Sequence, residues 1–198
     1  MERLTQLIYE DMKPALGVTE PGAIAFAVAT AKSHIQGTVQ QVDLRLNSGM
    51  YKNAFTCGIP GSDQVGNLHA AALGAVGADA EKGLECLDGI TAAQRQEAER
   101  MVADGRIHVS MSQVTSHISI EADVTTEQGC ATVIIRGAHT NIVEIRVNGQ
   151  TVFKRGRSMP LRRKTEALRF TNTRWHSLSD MRRRFPCRRS PLSKRLTT

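Results

Sequence analysis

Apolar residues at helical spacing mark the first half of the chain. The predicted helix over residues 20–35 has a core, residues 22–29, that is apolar on nearly every side, which is typical of a helix buried among its neighbours. Thr91 is a suitable N-cap for the last of these segments, and Gly105 is a suitable residue to end it. The predicted helices cover residues 2–12, 20–35, 67–76, 80–87 and 91–104.

The period changes to two in the second half, after one early strand with a slip in its alternation. Asn148-Gly149 predicts a type I′ hairpin between the last two strands. Helices followed by strands, without strict alternation, indicate an α+β fold in which N-terminal helices pack on an antiparallel sheet. The predicted strands cover residues 39–46, 106–111, 116–124, 131–136, 142–147 and 150–154.

The turn over residues 13–21 has the composition of an active-site loop. Gly17 allows a positive φ, Thr19 can cap the following helix, and Glu20 would lie in its first turn. A side chain at position 18 would stand just ahead of a helix N-terminus, where the dipole depresses the pKa of a thiol. The residue there is Val18, which cannot titrate, attack or bind metal. A plain helix–turn–helix joint with a valine staple explains the same pattern.

Two further segments carry candidate binding groups. Lys52 and Asn53 follow the first strand and could bind a carboxylate, although a solvated lysine beside an Asx turn is the simpler interpretation. Gly61, Gly66 and the start of the next helix could present backbone N–H groups to an anion, or form an ordinary strand-to-helix turn. This glycine spacing matches neither a Walker loop nor a dinucleotide fingerprint.

A loop between two predicted strands holds His139, Thr140 and Asn141. His139 could act as a general acid or base, and a loop histidine with satisfied hydrogen bonds is the alternative. The other histidines have no partner at metal-ligand spacing. From the residues alone, the prediction stops at an α+β domain with an anion pocket.

The charge balance changes sharply near Lys154. Residues 1–154 contain 12 Lys and Arg against 17 Asp and Glu, whereas residues 155–198 contain 14 against two. We therefore expect an N-terminal domain over 1–154 and a basic tail of low order over 155–198. Three interpretations of the tail stay open: a nucleic-acid-binding arm, a solvated disordered tail, or translation in the wrong frame.

Cysteine spacing and hydropathy bound the cellular setting. The four cysteines lie far apart without a C-x-x-C pair, so free thiols in a reducing cytoplasm and no metal site are expected. No apolar run approaches the roughly 18 residues of a membrane span, and no signal peptide is visible.

Three blocks of sequence resemble the N-terminal part of the L-cysteine desulfidase family, which is related to the alpha chain of iron–sulfur serine dehydratases. The order and spacing of the blocks fit over residues 5–153, and nothing matches from 155 onward. The blocks are Lys13-Pro14-Ala15-Leu16-Gly17-Val18-Thr19-Glu20-Pro21, the segment from Met50-Tyr51-Lys52-Asn53 through Gly58-Ile59-Pro60-Gly61 to Ala70-Ala71-Ala72-Leu73-Gly74-Ala75, and Gly137-Ala138-His139-Thr140-Asn141-Ile142-Val143.

The resemblance implies a carbon–sulfur lyase that converts L-cysteine to pyruvate, ammonia and hydrogen sulfide, or L-serine to pyruvate and ammonia. It implies a [4Fe–4S] cluster that acts as a Lewis acid on the leaving group. It also implies that the family's catalytic cysteine stands where this chain has Val18, and that the cluster cysteines lie in a second, helical domain. The substrate-side candidates are Thr19, Glu20, Lys52, Asn53, His139, Thr140 and Asn141.

We therefore expect a truncated, inactive member of this family, without a cofactor of its own. Its small-molecule partner would be L-cysteine or L-serine, with no membrane partner, and the sequence leaves the oligomeric state open. The alternatives are a remnant that binds an amino acid without reacting, or a nucleic-acid-binding module that acts through the basic tail.

Overall fold

The computed structural model describes Thr5 and residues 14–156. The chain divides into two units, Met1–Gly156 and Arg157–Thr198, and nearly all of the first unit is described. The predicted helix over 2–12 and the proposed basic tail lie outside the described residues, apart from Thr5, Arg155 and Gly156.

Four α-helices and one 3₁₀ helix form within the described residues. Their boundaries lie within two residues of most predicted ones, because apolar spacing and capping residues act locally. The helices are α1 (Thr19–Ser33), α2 (Ser48–Ala54), α3 (Gly66–Val76), the 3₁₀ helix Ala80–Glu85 and α4 (Ala92–Ala103). Helix α2 was not predicted, because Gly49 within it and Gly58 after it favoured a loop.

Six strands form one sheet in the order β2-β1-β3-β4-β5-β6. Asn148 and Gly149 both have positive φ, 51° and 80°, as the predicted type I′ hairpin between β5 and β6 requires. The strands are β1 (Val39–Asn47), β2 (Ile107–Gln113), β3 (Ser119–Thr126), β4 (Gly129–Arg136), β5 (Ile142–Val147) and β6 (Gln150–Lys154).

The α+β class is confirmed, and the predicted antiparallel pairing holds for every pair of neighbouring strands except β1 and β2. Strand β1 pairs antiparallel with β3, as in Leu46 opposite Ile120, and parallel with β2, as in Leu44 opposite Val109. Three α-helices and the 3₁₀ helix lie between β1 and β2 in sequence, and such a crossover is what parallel strands need. The predicted slip in β1 is present, since its register against β3 shifts between Val39 and Gln41.

Helix α1 is the centre of the core. Eleven of its 15 residues are buried, from Pro21 to Ala31. It packs on β3, β4 and α3, while α3 covers β1 and β2. A Cβ at Gly74 of α3 would lie 2.7 Å from the Ala25 carbonyl oxygen of α1. The two helices therefore approach so closely at this point that only glycine fits. The small residues of α1 therefore allow close approach, as the sequence predicts.

The opposite face of the sheet is polar. The Arg45 guanidinium on β1 lies 2.8 Å from Glu121 Oε1 and also pairs with Asp123, both on β3. Alternation along β3 buries Ile120, Ala122 and Val124 beneath the helices and turns the acids outward. Within the described residues, no helix combines the length and apolar character needed to cross a membrane.

Candidate functional site

Val18 occupies the N-cap of α1, directly ahead of the helix, as the turn pattern predicts. Its backbone is extended (φ −61°, ψ 127°), its side chain makes no cap hydrogen bond, and the residue is 47% exposed. The prediction that Thr19 is the cap is wrong. Thr19 is the first helical residue, and its hydroxyl donates to the Glu20 carboxylate at 3.4 Å. The helix N-terminus behind Val18 is therefore left without a side-chain acceptor.

Glu20 joins α1 to α2. Its Oε1 accepts a hydrogen bond from Asn53 Nδ2 at 3.1 Å, so the first and second resemblance blocks are in direct contact. A second contact joins the same blocks, because a Cβ at Gly17 would lie 3.3 Å from Pro60 Cγ. Gly17 is absent from the glycines with positive φ, so the predicted left-handed turn is wrong. Glycine suits position 17 because the chain passes close to the Pro60 ring there.

Lys52 lies in the last turn of α2 and is exposed. Its ammonium has no hydrogen-bond or ion-pair partner in the part of the chain that the structure describes. A cation in a final helical turn is favoured by the dipole, which is a structural role that needs no ligand. The same group is available to a carboxylate arriving from solvent.

The start of α3 differs from the predicted anion cradle. Gly66 has φ +90°, and a Cβ there would lie 2.7 Å from the Phe55 carbonyl oxygen. The Gly66 N–H already donates to the Cys57 carbonyl at 3.0 Å. This N–H group already has an acceptor within the protein and is not free to bind an anion. The prediction that Gly66 presents its N–H to an anion is therefore wrong. The glycine serves the tight passage of the chain between α2 and α3.

Asn67 is a site residue that sequence reasoning missed. It is only 4% exposed, and its Nδ2 donates to the Tyr51 carbonyl at 3.1 Å. Its Oδ1 is buried and has no donor among the described residues. A buried acceptor without a donor costs about 1–3 kcal/mol. The available signal was one polar amide at the start of an alanine-rich helix.

The loop after β4 is organised by Asn141. Its Nδ2 donates to the Arg136 carbonyl at 2.7 Å, and its Oδ1 accepts from Arg155 at 2.5 Å. The Gly137 N–H donates to the Ile118 carbonyl at 2.9 Å, which ties this loop to the one before β3. Thr140 and His139 are half-buried in the loop.

Strand direction brings all of these segments to one end of the sheet. Strand β1 ends at Asn47 and leads into α2, while antiparallel β3 begins there, with Leu46 opposite Ile120. Strand β4 ends at the same place, with Arg136 opposite Ser119. The structure thus gathers the three blocks at one sheet end. No hydrogen bond joins His139 to Glu20, Lys52 or Asn53 in the described part.

The described cysteines do not fit an iron–sulfur cluster. Cys57, Cys86 and Cys130 lie on separate elements, and no three His, Cys, Asp or Glu side chains come together for a metal within the described residues. Cys86 is fully buried, and its Sγ contacts the Gly22 carbonyl of α1 at 3.6 Å. Burial raises the pKa of the Cys86 thiol from 9.0 to about 12, with a smaller contribution from Asp79. It therefore stays a neutral thiol at physiological pH.

Comparison with known proteins supplies relatives for this domain. A UPF0597 protein of Clostridium botulinum (strain Langeland) is 38% identical over 152 residues, which are 77% of this chain. Two further relatives of this chain are also UPF0597 proteins. Those of Oleidesulfovibrio alaskensis and Klebsiella pneumoniae are 36% and 34% identical over 76% and 71% of the chain. The names of these UPF0597 relatives state no reaction.

The matched region is a small part of each relative. It covers 35% of the C. botulinum and O. alaskensis UPF0597 proteins and 33% of the K. pneumoniae protein. The chain therefore spans about a third of the length of the curated relatives it matches. No family model and no solved structure matches the chain.

Proposed function

We propose that residues 14–156 are the substrate-side segment of a lyase of the L-cysteine desulfidase type, and that this chain by itself does not turn over L-cysteine. The reaction of that class adds water overall and converts L-cysteine to pyruvate, ammonia and hydrogen sulfide. The observation that carries the proposal is the meeting of the first two resemblance blocks at the uncapped N-terminus of α1, through the hydrogen bond between Glu20 and Asn53.

The proposed binding groups are complementary to an amino acid zwitterion. The exposed Lys52 ammonium would bind the substrate carboxylate by charge attraction. The Glu20 carboxylate, held by Asn53, would accept from the substrate ammonium. His139, Thr140 and Asn141 lie at the same end of the sheet, where a half-buried imidazole is suited to proton transfer.

The proposed lack of turnover follows from the residue at position 18 and from the placement of the described cysteines. Val18 has no proton or lone pair to offer at the place where the resemblance implies a thiol. The described cysteines also offer no ligand set for the cluster that the resemblance implies. We therefore route no step through a cluster in this chain.

Calorimetric titration of the full 198-residue chain with L-serine tests the binding part of the proposal. L-serine replaces L-cysteine because it does not oxidise. We expect saturable binding that weakens at least tenfold in Lys52→Ala, because the carboxylate loses its counter-ion. Lys82→Ala is the matched control, since the Lys82 ammonium is already paired with the Asp88 carboxylate at 3.1 Å. No heat from the wild-type chain, or equal affinity in both variants, would refute the assignment.

An anaerobic assay tests the absence of turnover. The purified chain would be incubated with iron and sulfide, desalted, and assayed for pyruvate and sulfide release from L-cysteine. We expect rates equal to those without protein and no iron–sulfur absorbance bound in stoichiometric amount. Turnover above that background would contradict the proposed inactivity while leaving the amino-acid site intact.

Binding without reaction is the second candidate function, and the Lys52 ammonium, which has no partner among the described residues, favours it equally. Under either role, the thiol introduced by Val18→Cys should be more acidic than one placed on a strand, because the dipole of α1 lowers its pKa. Its pKa, measured from the pH dependence of alkylation, should fall below the ordinary value of about 8.5. Val152→Cys on β6 is the control at similar exposure.

A further inference from the structure

Large apolar side chains are exposed around the candidate site. Nine such residues are exposed in the described part of the chain, and seven of them lie on segments at the site end of the sheet. Five of the seven form what we term the apolar rim: Leu16, Val18, Phe55, Val65 and Leu68. Met111 and Val114 lie close by at the end of β2, and the remaining two are on β6.

Direct contacts hold the segments of the apolar rim together. The Phe55 carbonyl lies against Gly66, the neighbour of Val65, and the Phe55 ring stacks on Tyr51 with centroids 6.1 Å apart. Gly58 and Val65 form a β-bridge. Leu68 follows in the first turn of α3, so Phe55, Val65 and Leu68 lie on segments that contact one another.

The turn before α1 completes the rim. Leu16 and Val18 flank Gly17, which packs against Pro60 between Phe55 and Val65 in sequence. The end of β2 adjoins α2 as well, because Asn47 Nδ2 and Ser48 Oγ both donate to the Thr115 carbonyl, at 2.9 and 3.2 Å. The exposed Val114 precedes that carbonyl. Apolar exposure is thus concentrated at one end of the domain.

Such a concentration is costly unless something covers it. Each exposed large apolar side chain forgoes the favourable free energy of burial, and clustered exposure marks interaction surfaces in monomeric proteins. Phe55 is 59% exposed and Val65 is 52% exposed, yet neither belongs to the polar groups of the candidate site. Their exposure is explained by a covering partner.

We propose that the apolar rim docks the polypeptide that makes up the other two thirds of the UPF0597 relatives. The argument is one of length, because the matched region fills only 35% of the C. botulinum protein. Where domains of one chain pack against each other, the interface between them typically buries about 600–1,500 Å². The rim is the largest group of exposed apolar side chains in the described residues. The inference stands whether or not the site is a lyase site.

Co-expression tests the docking. The full 198-residue chain would be expressed with an affinity-tagged segment of the C. botulinum relative that comprises the residues outside the matched 152. We expect a one-to-one complex in which hydrogen exchange slows at residues 16–18, 55–58 and 65–68 of this chain. No complex, or protection elsewhere only, would overturn the proposal.

Paired variants locate the contact. Phe55→Ser with Leu68→Ser should weaken the complex at least tenfold, because burial of two large apolar side chains is lost. Val152→Ser with Phe153→Ser on β6 is the control at matched exposure and should leave affinity unchanged. Equal weakening by both pairs would place the contact elsewhere. Self-association of the chain that protects the rim and excludes the tagged segment would assign the rim to a second copy.

Discussion

Helices α1 and α4 are stabilised by different interactions, α1 by burial and α4 by capping at its ends. Helix α1 buries 11 of its 15 residues and has no side-chain cap at Val18. Helix α4 buries only Ala98 and Met101. It begins with a full capping box, in which Thr91 and Gln94 bond each other's backbone N–H groups. Packing substitutes for local signals in α1, and local signals stabilise the exposed α4.

The two helix ends differ in the same way. Helix α4 ends in a Schellman motif, since Arg106 N–H donates to the Met101 carbonyl and Gly105 N–H to the Val102 carbonyl, with Gly105 at φ +69°. Helix α1 ends at His34 in ordinary right-handed geometry. Of these two helices, the one held by burial stands beside the candidate site, and its N-terminus there has no side-chain cap.

Overpacking at the α1–α3 crossing should have the largest effect. Gly74→Ala places a methyl group 2.7 Å from the Ala25 carbonyl oxygen and 2.9 Å from the Ala25 Cα. These are backbone atoms of a buried helix, so relieving the overlap requires the two helices to move apart. We expect the free energy of unfolding in urea to fall by about 3 kcal/mol. Ala93→Leu on the exposed face of α4 is the control and should change it by less than about 0.5 kcal/mol. Equal effects would mean that α1 is not packed more tightly than α4.

Alkaline pH should act on the α1 contact through Cys86. The folded-state pKa is raised to about 12 from 9.0, so the folded protein keeps a proton that the unfolded chain loses. Stability is therefore full below pH 9 and falls as the pH rises toward 12. Between pH 8 and 10.5 the wild type should lose about 2 kcal/mol more than Cys86→Ala. Parallel pH profiles for the two proteins would contradict the burial of this thiol against Gly22.

Capping changes should have the smallest effect and opposite signs at the two helices. Thr91→Ala removes the capping box of α4 and should destabilise the domain by about 1 kcal/mol. Val18→Ser supplies an acceptor that α1 lacks and should stabilise it by about 0.5 kcal/mol. Thermal unfolding of both variants beside the wild type would measure the pair. Destabilisation by Val18→Ser would mean that the valine side chain does more for the fold than a cap would.

Local features of the fold were predictable. The helices α1, α3 and α4, the slip in β1 and the Asn148-Gly149 hairpin all follow from residue spacing or turn chemistry within a few positions. Helix α2 was missed because Gly49 lies inside a short segment whose helicity depends on the end of β1. Thr19 was mistaken for the cap because the residue type favours that position, while the chain places Val18 there.

The candidate site was predictable only as separate blocks. Residue types singled out Lys52, Asn53 and the loop over 137–141, but nothing local joins them. The hydrogen bond between Glu20 and Asn53 spans 33 positions and depends on how α1 lies against α2. Asn67 was missed because its burial and unpaired Oδ1 exist only once α2 and α3 pack together.

The sequence by itself determined the α+β class, the period of each element and the absence of a reactive group at Val18, because these depend on residue identity and short-range geometry. Only the tertiary structure decided that β2 joins the sheet in parallel, that the blocks share one sheet end, and that Cys86 lies buried against α1. Those features depend on contacts between residues far apart in the chain. Their free energy comes from burial and close packing, which no local pattern encodes.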